Sequence, residues 1–145
     1  MTKIRDTQRQ KVYRAEREAL WGTRTSFKDL KEVNAYICHV INSHYWKKRQ
    51  GSPYIDVRDG RGRSSACAFD KQTIALPKWA RKDVIILHEL AHTLVNFSYH
   101  RVAPHGREFA KEYLGLIKRF IGKESYSLLK ESYKKNHVHY RKAKE

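Results

Sequence analysis

The sequence predicts an α+β fold in which a small three-stranded sheet packs on helices, one of them carrying two histidines four residues apart. Three observations predict it. Apolar residues recur at helical spacing in long stretches on both sides of a central segment. Between Gly51 and Pro77 that spacing gives way to short apolar runs punctuated by Gly, Ser and Asp, the pattern of strands and turns. Val84-Ile85-Ile86-Leu87, continued by Leu90, Ala91, Leu94 and Val95, is apolar nearly all round, as in a buried helix. With 145 residues, 40% hydrophobic and 12% aromatic, the chain is read as one domain over residues 1–133, with a basic tail at 134–145.

Taken in order, residues 3–21 set Ile4, Val12, Ala15 and Ala19 on one side amid Lys3, Arg5, Arg9, Lys11, Arg14 and Arg17, a basic amphipathic helix. A long core helix is expected from an N-cap at Ser26, with Phe27, Leu30, Val33, Ile37, Val40, Ile41 and Tyr45 every three to four residues. Strands are expected at 54–58, 66–69 and 73–76, with a Gly- and Ser-rich loop at 59–65. The buried helix follows. Phe109, Tyr113, Leu116, Ile117 and Phe120 then mark another helix, Gly122 breaks the pattern, and 124–133 forms the last helix with Leu128 and Leu129 inward. The tail beyond it is expected to be frayed and solvated, with His137 and His139 in it. His39 and His44 read as core or surface residues of the second helix.

The chemistry concentrates in the buried helix, at His88-Glu89-Leu90-Ala91-His92. Residues four apart on a helix lie about 6 Å apart at Cβ, so His88 and His92 can direct two imidazole nitrogens to one tetrahedral zinc ion. Glu89 flanks the ion without having to ligate it. Its carboxylate can take a proton from a zinc-bound water of pKa about 7 and pass it to a leaving amine. Two histidines and a glutamate on a buried helix would be costly without a metal or partners.

An open catalytic zinc needs a third protein ligand. Val95 and Ser98 stand where a metzincin would have Gly and His, which excludes that class. His105, just before Gly106 at the head of the next helix, is favoured, with Glu112, Glu108 and His100 as alternatives.

His88-Glu89-Leu90-Ala91-His92 with His105-Gly106-Arg107-Glu108-Phe109 resembles the SprT-like (Spartan and Wss1-type) zinc metallopeptidases, in which HExxH is followed by a His-Gly-x-x-Phe segment. It is also similar to small metallohydrolases of actinobacteria and their phages. Thr73-Ile74-Ala75-Leu76-Pro77-Lys78-Trp79 looks like the strand entering the active-site helix of the SprT-like group, and the likeness spans residues 53–121. The resemblance implies a zincin-like fold, with His88, His92 and His105 as zinc ligands and Glu89 as catalytic base. The chain departs from many members in lacking a C-terminal zinc ribbon: it has only Cys38 and Cys67 and no CxxC. Nor does its sequence show a separate DNA-binding module.

A net charge of +16 favours polyanions, and the first helix, Lys47-Lys48-Arg49, the Arg61/Arg63 loop and the tail could present a nucleic-acid surface. A solubilising charge is the rival reading. Tyr45, Trp46 and Tyr54 beside basic residues are candidates for base stacking, against a plain core role. The two cysteines read as buried small hydrophobes in a reducing compartment. With no apolar signal core at Met1-Thr2-Lys3-Ile4-Arg5-Asp6 and no membrane-length apolar run, a cytoplasmic location is expected. An extended peptide could add to a sheet edge beside the zinc, with 64–69 or 73–76 as that edge. Tyr99, His100, Arg101 and Tyr113 are candidates for a second oxyanion donor.

The expected function is zinc-dependent hydrolysis, foremost of peptide bonds in proteins, including those associated with nucleic acid. A basic nucleic-acid-binding protein with a structural zinc and a zinc hydrolase of non-peptide amides are the alternatives.

Overall fold

The computed structural model describes residues 4–20, 22, 25–98 and 101–141. In chain order the elements are α1 (Arg9–Leu20), α2 (Leu30–Ile41), α3 (His44–Lys48), β1 (Asp56–Asp59), β2 (Cys67–Ala68), β3 (Thr73–Leu76), a 3-10 turn (Lys78–Ala80), α4 (Asp83–Ser98), α5 (Arg107–Phe120) and α6 (Lys123–Lys135). This is the expected α+β mixture. The chain forms two compact units, Arg24–Ser98 and Met1–Thr23 with Tyr99–Glu145.

In the unit Arg24–Ser98, helix α2 starts at an Asp29 N-cap rather than at Ser26. Asp29 Oδ1 accepts the Glu32 N–H at 3.0 Å, satisfying a backbone donor that a helix start leaves open, and Glu32 Oε2 accepts the N–H of Lys28, just before the cap, at 2.7 Å. Ser26 instead bridges to Lys82, and the Phe27 N–H bonds to the Arg81 carbonyl at 2.8 Å, so the chain is extended there. The single helix expected to reach Tyr45 is two helices. Ser43 turns to an extended conformation and caps α3 through the Trp46 N–H, a role for which serine outcompetes helix continuation.

Val33, Ile37, Val40 and Ile41 form the buried face of α2. Trp46 is fully buried, donating from Nε1 to the Ser52 carbonyl at 2.8 Å, which removes it as a base-stacking residue. Gly51 permits this packing: a Cβ there would lie 2.3 Å from the Trp46 ring.

The sheet order is β1-β3-β2, with β1 parallel to β3 (Asp56↔Thr73 to Asp59↔Leu76) and β2 antiparallel to it (Cys67↔Ala75, Ala68↔Ile74). All four residues of β3 are buried. Thr73–Leu76 is therefore the central strand and not the edge. Its Thr-Ile-Ala-Leu sequence suits burial on both faces, whereas the charged Asp-Val-Arg-Asp of β1 suits an edge. The other expected edge, around Cys67–Ala68, is an edge, and β2 lies against α4. Arg81 is buried at the end of β3, donating from Nε to the Leu76 carbonyl (3.3 Å) and from Nη2 to Asp59 Oδ1 (3.2 Å). One guanidinium thus ties β1 and β3 together just ahead of α4. Helix α4 buries Val84, Ile86, Leu87, Leu90, Ala91, Leu94 and Val95, as its sequence requires.

In the other unit, α1 begins at Arg9, six residues later than expected, and Ile4 is exposed. The preceding segment is irregular and ends in a turn at Thr7 and Gln8, and its polar residues have long-range partners described below. Val12, Ala15 and Leu20 are the buried stripe of α1, which packs on α6, where Ser132 Oγ donates to the Ala15 carbonyl at 2.9 Å. Gly122 joins α5 to α6 at φ 148, a conformation open to glycine and strained for other residues. In α6 the inward residues are Ser125, Leu129, Ser132 and Tyr133, and Leu128 is exposed. The inward face spans Ser132 to Tyr133 with Leu129 near its middle, and Leu128, about 100° round the helix from Leu129, falls outside it.

The tail is ordered further than expected. His137 takes φ 59, Val138 turns back to be buried with its N–H on the Tyr133 carbonyl (2.8 Å), and Tyr140 packs on Tyr133 with ring centroids 5.9 Å apart. A buried valine and an aromatic contact offset the charge that suggested fraying.

Candidate metal centre

Helix α4 delivers His88 and His92 one turn apart, as the spacing demands. Their Nε2 atoms are 3.2 Å apart and their rings meet edge to face at 69°, with His88 buried and His92 half-buried. Two nitrogens at zinc–nitrogen distance on a tetrahedral ion would be separated by about 3.3 Å. The pair therefore has the separation that a shared ion would impose. Glu89, on the same turn, is also buried.

His105 sits at the mouth of α5, followed by Gly106 as N-cap. It is buried, and its backbone N–H, its carbonyl and its Nδ1 all have partners. Its N–H donates to Asp6 Oδ1 (3.0 Å), its Nδ1 lies 2.8 Å from Asp6 Oδ2, and its carbonyl accepts from Gln8 Nε2 (3.1 Å). The ring packs between Tyr13 (5.1 Å) and Phe109 (5.2 Å, edge-on). With Nδ1–H committed to a carboxylate, the neutral imidazole has its lone pair on Nε2, the arrangement in which a histidine ligates a metal.

Among the described residues, His88, His92 and His105 form a group that could hold a metal ion, each offering one ring nitrogen, with these atoms all within 4.8 Å of one another. Glu112 is buried on α5 and Glu108 half-buried, and neither belongs to this group; His100 lies outside the described residues. Of the oxyanion candidates, Tyr99 and His100 also lie outside the described residues. Arg101 is exposed, and Tyr113 is buried and stacked on Phe109 at 5.8 Å.

Asp6 and Gln8 were not singled out from the sequence, because they act on a residue 99 and 97 positions away. Gln8 also bonds the His139 backbone through both its amide nitrogen and its oxygen. The one sequence signal is a carboxylate and an amide set among the basic residues before α1.

The remaining candidates are dispersed. Tyr54 is exposed, and Arg49 lies over the Tyr45 ring at 5.2 Å. Arg61 and Arg63 are exposed, with Arg63 over Phe69 at 4.7 Å. Cys38 is exposed and Cys67 half-buried, so neither is the buried small hydrophobe expected: Cys38 falls on the outer side of α2, and β2 is an edge. On α1, Arg9, Gln10, Tyr13, Arg14 and Arg17 line a recess of about 380 Å³. No helix among the described residues is long and apolar enough to cross a membrane.

No family model, curated protein or solved structure matches this chain.

Proposed function

We propose that the chain is a zinc-dependent hydrolase of zincin-like, SprT-like type, acting foremost as a metallopeptidase, with His88, His92 and His105 as zinc ligands and Glu89 as catalytic base. The observation that carries this reading is the three-histidine group with a buried glutamate adjoining one of its members. Three neutral imidazoles suit zinc and leave a fourth position open. When bound, zinc supplies a Lewis acid and brings water to a pKa of about 7.

The chain's own residues do the rest. The Glu89 carboxylate accepts the proton released as water oxygen bonds to the scissile carbonyl carbon, then delivers it to the departing amine nitrogen as the C–N bond breaks. Burial of Glu89 keeps bulk water from competing for that proton. Asp6 occupies Nδ1 of His105, which would leave Nε2 as the nitrogen that holds zinc.

The test sets wild type beside Glu89→Gln and His105→Ala, measuring zinc by elemental mass spectrometry and cleavage of an unstructured protein substrate. Glu89→Gln should keep one zinc per chain and lose about 10²- to 10⁴-fold in rate. His105→Ala should lose zinc. A zinc-loaded wild type that cleaves neither peptides nor other amides would overturn the reading. In its place would stand a basic nucleic-acid-binding protein with a structural zinc, the alternative favoured by the net charge of +16.

A further inference from the structure

The function proposed above leaves a second concave site unused. The α6 face bearing Tyr126, Lys130 and Lys134, the returning segment His137 to Arg141, and Arg107 enclose a half-open cavity of about 890 Å³. That volume lies within the range of small-ligand sites.

Arg107, Lys130, Lys134 and Arg141 line it against a single acid, Glu131. None of the four cations is paired with a carboxylate among the described residues. Arg107 and Lys130 are half-buried, and Lys134 and Arg141 are exposed at the rim. Arg107 Nη1 donates to the Arg141 carbonyl at 3.0 Å, Lys130 Nζ lies 5.7 Å from the Tyr126 ring, and the Arg141 guanidinium lies 5.6 Å from the Tyr140 ring. The α6 dipole accounts for a lysine in the last turn, such as Lys134, but not for cations converging from three separate segments.

Two half-buried tyrosines, Tyr126 and Tyr140, supply aromatic walls of the kind on which a planar ring stacks. From Tyr126 to Lys134 the helix rises about 12 Å. That length takes one nucleotide with its phosphates.

We propose that this cavity binds a nucleoside polyphosphate, with the phosphates on Lys130, Lys134, Arg107 and Arg141 and the base against the tyrosine wall. The site is separate from the three-histidine centre, and it stands or falls independently of the hydrolase reading.

The experiment measures binding of ATP, inorganic tripolyphosphate and a thymidine 20-mer by calorimetry at physiological ionic strength, with the wild-type chain, Lys130→Gln/Lys134→Gln and Tyr140→Ala. A Lys28→Gln/Lys31→Gln control removes the same charge from α2 and its approach. ATP should bind the wild type and the control alike, weaken at least tenfold in the cavity double variant, and bind more tightly than tripolyphosphate. That last margin should vanish in Tyr140→Ala. Equal affinity for ATP and tripolyphosphate in the wild type would overturn the nucleotide assignment. So would equal losses in the control and cavity variants, or a 20-mer that binds while ATP fails to displace it. Thermal melts of each variant report folding; should Tyr140→Ala melt early, Tyr140→Leu replaces it, keeping apolar bulk without the aromatic face.

Discussion

Asp6→Asn tests whether the carboxylate below His105 governs metal binding. The native carboxylate accepts twice, from the His105 N–H at 3.0 Å and from Nδ1 at 2.8 Å. Asparagine can still accept one of these bonds through its single oxygen. If that oxygen keeps the backbone N–H, its amide N–H₂ faces Nδ1 and turns Nδ1 into an acceptor, which places the ring proton on Nε2 and blocks ligation. Loss of such a partner costs about 10- to 100-fold in metal affinity, or about 1.4 to 2.8 kcal/mol. Competition with a chromophoric zinc chelator reads this directly. The melting temperature of the metal-free variant separates loss of ligand orientation from loss of fold. Zinc affinity within twofold of wild type, in a variant that folds, would refute the argument that Asp6 sets the His105 tautomer.

Three further outcomes follow from the same geometry. Stripping metal with a chelator should lower the melting temperature, because an ion that binds only the folded state at a thousandfold excess over Kd stabilises it by about 4 kcal/mol; His88→Ala should melt alike with and without chelator in scanning calorimetry. Asp29→Ala removes the acceptor for the Glu32 N–H and should cost about 1 kcal/mol in urea unfolding with the slope unchanged. Tyr133→Phe should leave stability unchanged or raise it by up to about 1 kcal/mol, since the buried Tyr133 hydroxyl has no hydrogen-bond partner among the described residues and burial pushes its pKa far up, with Glu16 adding to the effect; a loss above 1 kcal/mol in the same assay would contradict this.

The motif helix and all three strands were legible because their cues are local: an apolar run without gaps in α4, and β-branched or small residues between turn formers around β3. Helix boundaries were less so. Ser26 and Asp29 are equally good caps by residue type, and the choice falls to Asp29 because Glu32 stands three residues on and because Phe27 is drawn into pairing with Arg81. Strand order was out of reach, since the parallel pairing of β1 with β3 skips the strand between them in sequence. At the candidate site, His88, His92 and Glu89 are spelled by helical periodicity and His105 by the turn residues around it. Asp6 and Gln8 leave no such trace, because a hydrogen bond across most of the chain imposes no period on the residues near it.

That span has a consequence for biosynthesis. Asp6 precedes His105 by 99 residues, and a ribosome adding about 5–20 residues per second makes the acid about 5–20 s before the imidazole it will hold. His88 and His92 are made only late in that interval, and until it ends the third nitrogen and its anchor cannot meet. A metal held by all three histidines would therefore be completed only after the first 105 residues have been made.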